Sequence, residues 1–132
     1  MERSGINEIA ITLVNPILQS IPIKGWTFTS RQPVISIGRA AENHVVLYSA
    51  VVSRHHLEVR RKGLQWEIVN LSANGTYAEE KPIERIIVLN GLKLRLARSG
   101  PILQFHLQKY SSTSSTPSPS KSPPESSTNE SL

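Results

Sequence analysis

The chain of 132 residues contains no cysteine and no aspartate. Without cysteine it can form neither disulfides, zinc-thiolate sites nor a thiol nucleophile. Without aspartate, only a glutamate could orient the histidine of a serine-histidine triad. The apolar run near the beginning of the chain is short, flanked by charges and broken by Pro16, so it fits neither a signal peptide nor a membrane span. We therefore expect an intracellular protein, cytoplasmic or nuclear, with no membrane partner.

The sequence also lacks a sustained helical repeat, and its clearest pattern is alternation of apolar and polar residues. This alternation predicts half-buried strands at 57–60, 92–96 and 103–108, with weaker candidates at 9–14, 26–28, 34–37, 45–47, 64–69 and 85–89. Turn residues separate these segments, and the Asn-Gly pairs at 74–75 and 90–91 are typical of two-residue hairpins. We predict an all-β fold, a β-sandwich of two antiparallel or mixed sheets with ligand-binding loops at one end.

The last part of the chain differs in composition from the rest. Residues 110–132 are rich in serine, threonine and proline, and between Tyr110 and Leu132 the apolar residues are four prolines. Such a segment buries too little apolar surface to offset the entropy lost on ordering. The sequence predicts a β-sandwich domain over 1–109 and a disordered tail or linker over 110–132.

The formal net charge is +5, and the surplus lies in the middle of the chain. Between Arg31 and Arg98 there are eleven lysines or arginines against six glutamates, whereas the charges on either side cancel. A localised surplus of this sign favours an anionic ligand or partner.

Three predicted loops hold the unusual polar residues, in "IGRAAENHV", "SAVVSRHHLEV" and "NLSANGTY". Their order, Gly-Arg at 38–39, Ser-x-x-His at 53–56 and Asn-Gly-Thr at 74–76, resembles the forkhead-associated (FHA) domain, a phosphothreonine-peptide-binding β-sandwich. The resemblance extends to "ENHVVL" and "LNGLKLRL" and covers roughly residues 9–109. It implies a non-catalytic module that recruits phosphorylated partner proteins in signalling, without cofactor or metal.

The resemblance also implies roles for individual residues. Phosphate would be bound by Arg39, Ser53 and Arg54, and Asn74 would hold the peptide backbone. Gly38, His56 and Gly75 would support the loops. The chemistry of these side chains fits an anion independently, because an arginine fork meets two phosphate oxygens at once and a serine hydroxyl adds a neutral donor.

The chain departs from the family in its third motif. Many members have threonine or serine directly before Asn-Gly and use its hydroxyl on the phosphate, whereas this chain has Ala73. Ser72 is the candidate for an additional phosphate contact in its place. The alternative function is a degenerate FHA domain that acts as a phosphate-independent interaction or dimerisation module.

Some of these residues also admit other interpretations. Ser53 with His56 or His55 as base would suggest a hydrolase, but nothing in the sequence orients the base. Arg54 could instead pair with Glu58, and the basic surplus alone would suggest nucleic acid, which lacks interleaved aromatics here. The tail offers Thr113, Thr116 and Thr128, which after phosphorylation could occupy the site of the same chain or of a second copy.

Overall fold

A computed structural model describes residues 6–109, which form eleven strands. They are β1 (Ile6–Val14), β2 (Pro22–Thr29), β3 (Val34–Gly38), β4 (Val45–Val46), β5 (Leu57–Lys62), β6 (Gln65–Asn70), β7 (Thr76–Ala78), β8 (Lys81–Pro82), β9 (Arg85–Ile87), β10 (Leu92–Leu96) and β11 (Ile102–Lys109). In this part of the chain no helix is long and apolar enough to cross a membrane. The predicted tail lies outside the described residues.

The strands build two sheets that face each other. One has the order β2-β1-β11-β10-β7-β8 and the other β4-β3-β5-β6-β9. β3 and β4 pair in parallel, and the other pairs are antiparallel. The prediction of a sandwich with antiparallel and mixed sheets is confirmed.

Alternation places one apolar face of each sheet in the core. In β5, Leu57 and Val59 are buried while Glu58 and Arg60 are half-buried, and β10 buries Leu94 and Leu96 but exposes Lys93. Trp66 and Phe105 are the largest of the fully buried side chains. Burying side chains of this size contributes on the order of 2–3 kcal/mol each, so these two residues anchor the packing of the two sheets.

Several loops meet at one end of the sandwich. We name residues 39–44 between β3 and β4 the first loop, residues 47–56 between β4 and β5 the second loop, and residues 71–75 between β6 and β7 the third loop. The turn at 97–101 between β10 and β11 lies beside them, because the Ala97 N–H donates to the Gly75 carbonyl at 2.8 Å. The opposite end of the sandwich carries the beginning of β1 and the end of β11, where Ile6 pairs with Lys109.

Two expectations about turns are wrong. The Asn-Gly pairs at 74–75 and 90–91 do not close hairpins, because β6 and β7, like β9 and β10, belong to different sheets. Both glycines nevertheless have positive φ, +87° at Gly75 and +92° at Gly91. Asn-Gly thus supplies the left-handed backbone for a crossing between sheets instead of a hairpin.

Candidate functional site

The first and second loops are tied together through their backbones. The Arg39 N–H donates to the Ser53 carbonyl at 3.0 Å, and the Ala40 N–H donates to the Arg54 carbonyl at 3.1 Å. The first bond joins two residues predicted to bind phosphate, and the second joins Arg54, the third of them, to the residue after Arg39. The spacing of their side chains is therefore fixed by the backbone and does not depend on contacts among the side chains.

Gly38 makes this close approach sterically feasible. A Cβ atom built at Gly38 would overlap the carbonyl oxygen of Arg54. The same carbonyl accepts a hydrogen bond of 2.7 Å from the Asn43 amide, which also donates to the Ala40 carbonyl at 2.9 Å. Asn43 is buried, and its amide adds a side-chain donor to two loop carbonyls that also accept backbone N–H groups.

Arg39 projects from the first loop and is exposed. Its Nε donates to the Val52 carbonyl at 3.0 Å, which fixes the plane of the guanidinium against the second loop. Within residues 6–109 its guanidinium has no carboxylate partner. An arginine held by one nitrogen, with its two terminal amino groups free of acidic neighbours, is suited to receive two oxygens of an anion.

Arg54 lies next to Ser53 on the second loop and is also exposed. The alternative pairing of Arg54 with Glu58 does not form, because Glu58 Oε1 accepts hydrogen bonds from Arg60 at 2.8 and 2.9 Å. Ser53 is half-buried, and its backbone N–H donates a hydrogen bond to His56. Two arginines and a hydroxyl thus share one rim, with no ion pair among the described residues neutralising either arginine.

His56 is fully buried beneath this rim. Its Nδ1 accepts from the Ser53 N–H at 3.0 Å, so Nε2 carries the proton and donates to the Gly75 carbonyl at 2.9 Å. Burial lowers the pKa of His56 below its ordinary value, and the Gly75 hydrogen bond opposes that shift only in part. One neutral imidazole therefore connects the second loop to the third.

These contacts weigh against the hydrolase alternative. Both ring nitrogens of His56 are engaged with backbone groups, so neither can take a proton from the Ser53 hydroxyl. His55 points elsewhere, with Nε2 at 3.4 Å from Glu42 and Nδ1 at 3.4 Å from the Asn43 amide oxygen. The geometry pairs Ser53 with no general base in the described part of the chain.

The third loop is organised by its own polar side chains. The Ser72 hydroxyl donates to Asn70 Oδ1 at 2.7 Å and accepts from the Gly75 N–H at 3.0 Å. Asn70 Oδ1 also accepts from the Thr76 hydroxyl at 2.9 Å. The one hydroxyl proton of Ser72 is therefore committed inside the loop, and a phosphate contact from Ser72 would require that bond to break.

Asn74 stands at the tip of the third loop and is exposed. Its amide nitrogen donates to the Val51 carbonyl at 2.8 Å, which joins the third loop to the second. Within residues 6–109 its amide oxygen has no donor, so it can accept a hydrogen bond from a ligand. The structure thus brings Arg39, Ser53, Arg54 and Asn74 to one end of the sandwich, with Gly38, His56 and Gly75 beneath them.

Asn43 and Asn70, two asparagines that organise the loops, were not among the predicted site residues. The signal for Asn43 was present in the motif "ENHVVL", where an asparagine precedes the alternating Val45 and Leu47, both buried. A polar residue at the start of a buried strand has to satisfy its amide internally, which indicates a structural role. For Asn70 the comparable signal is its position at the end of β6, directly before the third loop.

Comparisons with known proteins agree with the fold and the motifs. Residues 35–97 match the model of the FHA domain. The chain is 32% identical over 78 residues to the glycogen accumulation regulator GarA of Mycolicibacterium smegmatis, which covers 58% of this chain and 49% of the relative. It is 33% identical over 78 residues to the oxoglutarate dehydrogenase inhibitor of Corynebacterium jeikeium, with 58% and 54% covered. The chain thus spans about half the length of the curated relatives it matches.

Solved structures show the same fold. An FHA domain from Mycobacterium tuberculosis superposes with a TM-score of 0.66 at 17% identity, over 79% of this chain and 99% of that domain. A second structure, solved in work on phosphothreonine-dependent FHA domain interactions, superposes with a TM-score of 0.63 at 24% identity, over 78% and 99%. At these identities the likeness establishes the arrangement of strands alone.

Proposed function

The chain carries a domain of the FHA family, and we propose that its loop end binds phosphothreonine in a partner protein without catalysing a reaction. The observation that carries this proposal is the pair of exposed arginines, Arg39 and Arg54, beside the Ser53 hydroxyl on loops locked by backbone hydrogen bonds. A phosphomonoester has close to two negative charges and three strong acceptor oxygens. Two guanidinium groups and one hydroxyl match both the charge and the number of acceptors.

The energetics of such a site favour recognition of a short peptide. A well-made hydrogen bond to a charged group contributes about 1.5–3 kcal/mol, so two or three of them dominate the affinity of a ligand that buries little surface. The loops are held by Asn43 and His56 before the ligand arrives, so little ordering entropy is lost on binding. Asn74 would add a hydrogen bond from its amide oxygen to the peptide backbone.

The resemblance to regulators supports a recruiting role. The two relatives are named as a regulator and as an inhibitor, and we propose that this chain likewise acts by binding a protein. The ligand would then be a phosphorylated segment of that protein, and binding would depend on its phosphorylation state.

A phosphopeptide library tests the proposal. The chain should bind a phosphothreonine library and ignore the unphosphorylated copy, with a phosphoserine library as the third arm. Arg39→Ala should weaken binding by about ten- to a hundredfold, the loss expected for one charge-assisted contact. Arg31→Ala is the matched control, because Arg31 is an exposed arginine on the turn between β2 and β3. Retained affinity in the Arg39 variant would remove that residue from the site.

A second candidate function rests on the third loop. Ala73 has no hydroxyl and that of Ser72 is bonded to Asn70, so this loop offers no free side-chain hydroxyl to a phosphate. This favours a degenerate domain that binds a protein surface or a second copy without phosphate. A folded chain that binds no member of any phosphopeptide library would support it.

The tail is a further candidate ligand. Phosphorylated Thr113, Thr116 or Thr128 could occupy the loop end of the same chain or of another copy. A tail-phosphorylated chain should then bind external phosphopeptide more weakly than a chain truncated after Lys109. Equal binding by the two chains would exclude the tail as a ligand.

A further inference from the structure

A second candidate binding site lies on the edge of the six-stranded sheet. β7 pairs with β10 only where Thr76 and Tyr77 face Leu96 and Arg95. Beyond Tyr77 the chain turns away to pair with β8, so among residues 6–109 no strand pairs with the first half of β10 on that side. A cleft of about 810 Å³ opens between this half of β10 and the β7–β8 hairpin.

Three cations line the cleft, and each is held by a neutral group. Lys93 Nζ donates to the Gln19 amide oxygen at 3.2 Å, and an Arg95 amino group donates to the Gly100 carbonyl at 3.3 Å. The Arg98 guanidinium lies 5.1 Å from the centre of the Tyr77 ring. Within residues 6–109 none of the three pairs with a carboxylate, so their charges are positioned but not neutralised.

The backbone of β10 also faces this cleft. The Leu96 N–H donates to the Pro101 carbonyl at the β11 side, whereas the Ala97 N–H donates to the Gly75 carbonyl on the opposite side. Backbone N–H and C=O groups alternate in direction along a strand, so those of Arg95 and Lys93 point away from β11. At Arg95 that side is covered by Tyr77, and at Lys93 it opens into the cleft. Lys93 is therefore an open edge position of the sheet.

We propose that this cleft binds an extended acidic peptide segment, which adds a strand against Lys93. Lys93 and Arg95 are two residues apart and project from the same, outer face of the sheet. In an added strand, acidic side chains at alternate positions would lie opposite Lys93 and diagonally from Arg95, within reach of both. The ligand is thus a peptide with the pattern acidic-x-acidic, and its recognition does not use the loop end.

The opposite wall of the cleft favours a peptide over a nucleic acid. Glu79 and Glu80 form the turn of the β7–β8 hairpin, and both line the cleft. A strand of nucleic acid carries a phosphate at every residue and would meet repulsion from these two carboxylates. An extended peptide directs alternate side chains to opposite sides, so its acidic residues can face β10 while the other residues avoid the glutamates.

Nuclear magnetic resonance titration tests this site with an unphosphorylated peptide of repeating Glu-Val and a matched peptide of repeating Gln-Val. The acidic peptide should shift the amide signals of residues 92–95 and Ala78 in a saturable way, and the Lys93 amide should become protected from hydrogen exchange. The Gln-Val peptide should bind more weakly. The double variant Lys93→Gln with Arg95→Gln should lose about fivefold in affinity, as expected for two cross-strand charge pairs.

The controls separate this proposal from the phosphate site. The double variant Arg31→Gln with Lys62→Gln removes two exposed charges elsewhere and should bind the acidic peptide unchanged. Arg39→Ala should also leave this binding unchanged, even though it should abolish most phosphopeptide binding. Shifts confined to the three loops, or no protection at Lys93, would overturn the proposal. Tighter binding of a single-stranded oligonucleotide at residues 92–95 would overturn the assignment to a peptide.

Discussion

The imidazole of His56 lies between the Ser53 N–H, at 3.0 Å from Nδ1, and the Gly75 carbonyl, at 2.9 Å from Nε2. The two hydrogen bonds require one neutral tautomer, with the proton on Nε2. Protonation of Nδ1 would replace an acceptor with a donor facing another donor. The connection between the second and third loops is therefore sensitive to the charge of a single residue.

The stability of the domain should fall in mild acid because of His56. Its folded-state pKa lies below that of an unfolded histidine, about 6.5. The stabilisation is complete above that value and is lost as the pH falls through it towards the folded-state pKa, because the unfolded chain takes up the proton first. The free energy of unfolding in urea should be lower at about pH 5 than at about pH 7.5. His56→Gln should remove the part of this difference that His56 causes. His55→Gln, which alters an exposed histidine, should retain the full dependence.

Gly38→Ala should destabilise the domain and weaken peptide binding together. The added methyl would overlap the Arg54 carbonyl, which is backbone and cannot rotate away, so strain of about 1–3 kcal/mol is expected. Urea unfolding measures the loss. Gly25→Ala is the control, since the nearest atom to its added Cβ is the Ile11 carbonyl oxygen at 3.8 Å. Equal stability of the two variants would contradict the close approach of the first and second loops.

Asn43 and Asn74 should contribute to different properties, Asn43 to the stability of the domain and Asn74 to peptide binding. Asn43→Ala removes two side-chain hydrogen bonds, to the Ala40 and Arg54 carbonyls, and at about 0.5–1.5 kcal/mol for each bond it should cost about 1–3 kcal/mol of folding free energy. Asn74→Ala removes an exposed contact to Val51 and should change the folding free energy by less than about 1 kcal/mol, but it should reduce phosphopeptide affinity. Thermal unfolding and peptide titration of both variants check this division. The reverse order of effects would count against the roles given to both residues.

The turn of the β7–β8 hairpin should be improved by substitution. Glu79 and Glu80 have φ of 49° and 69°, a left-handed backbone that non-glycine residues adopt at a cost. The double variant Glu79→Asn with Glu80→Gly supplies the residues that two-residue hairpins favour and should stabilise the domain by about 1 kcal/mol. Glu84→Gly, at a position without positive φ, should not stabilise it. Differential scanning calorimetry of the three proteins distinguishes these outcomes.

The sequence predicted most strands because their apolar alternation reflects burial on one face, as in β10 and β11. It missed β7 and β8, which are three and two residues long, too short for alternation to register. Their turn is also formed by two glutamates and not by the glycine or asparagine that would reveal it. The loop residues were found from the order of three motifs, but the bonded state of the Ser72 hydroxyl depends on Asn70, a contact within the loop that no motif describes.

Ile6 pairs with Lys109 at the end of the sandwich opposite the loops, because β11 carries the chain away from the loop end. A residue of the tail must span the distance from Lys109 back to the loops before it can reach them. From Ile102 to Lys109 the strand is about 24 Å long. Thr113 is four residues past Lys109 and can return about 14 Å at full extension, so it falls short of its own Arg39. Thr116 reaches about 24 Å with nothing to spare, whereas Thr128, nineteen residues past Lys109, spans about 65 Å. If the phosphorylated tail is the ligand, as proposed above, a phosphothreonine near its start would reach only a neighbouring molecule, whereas one near its end is far enough along the chain to reach the loop end of the same molecule.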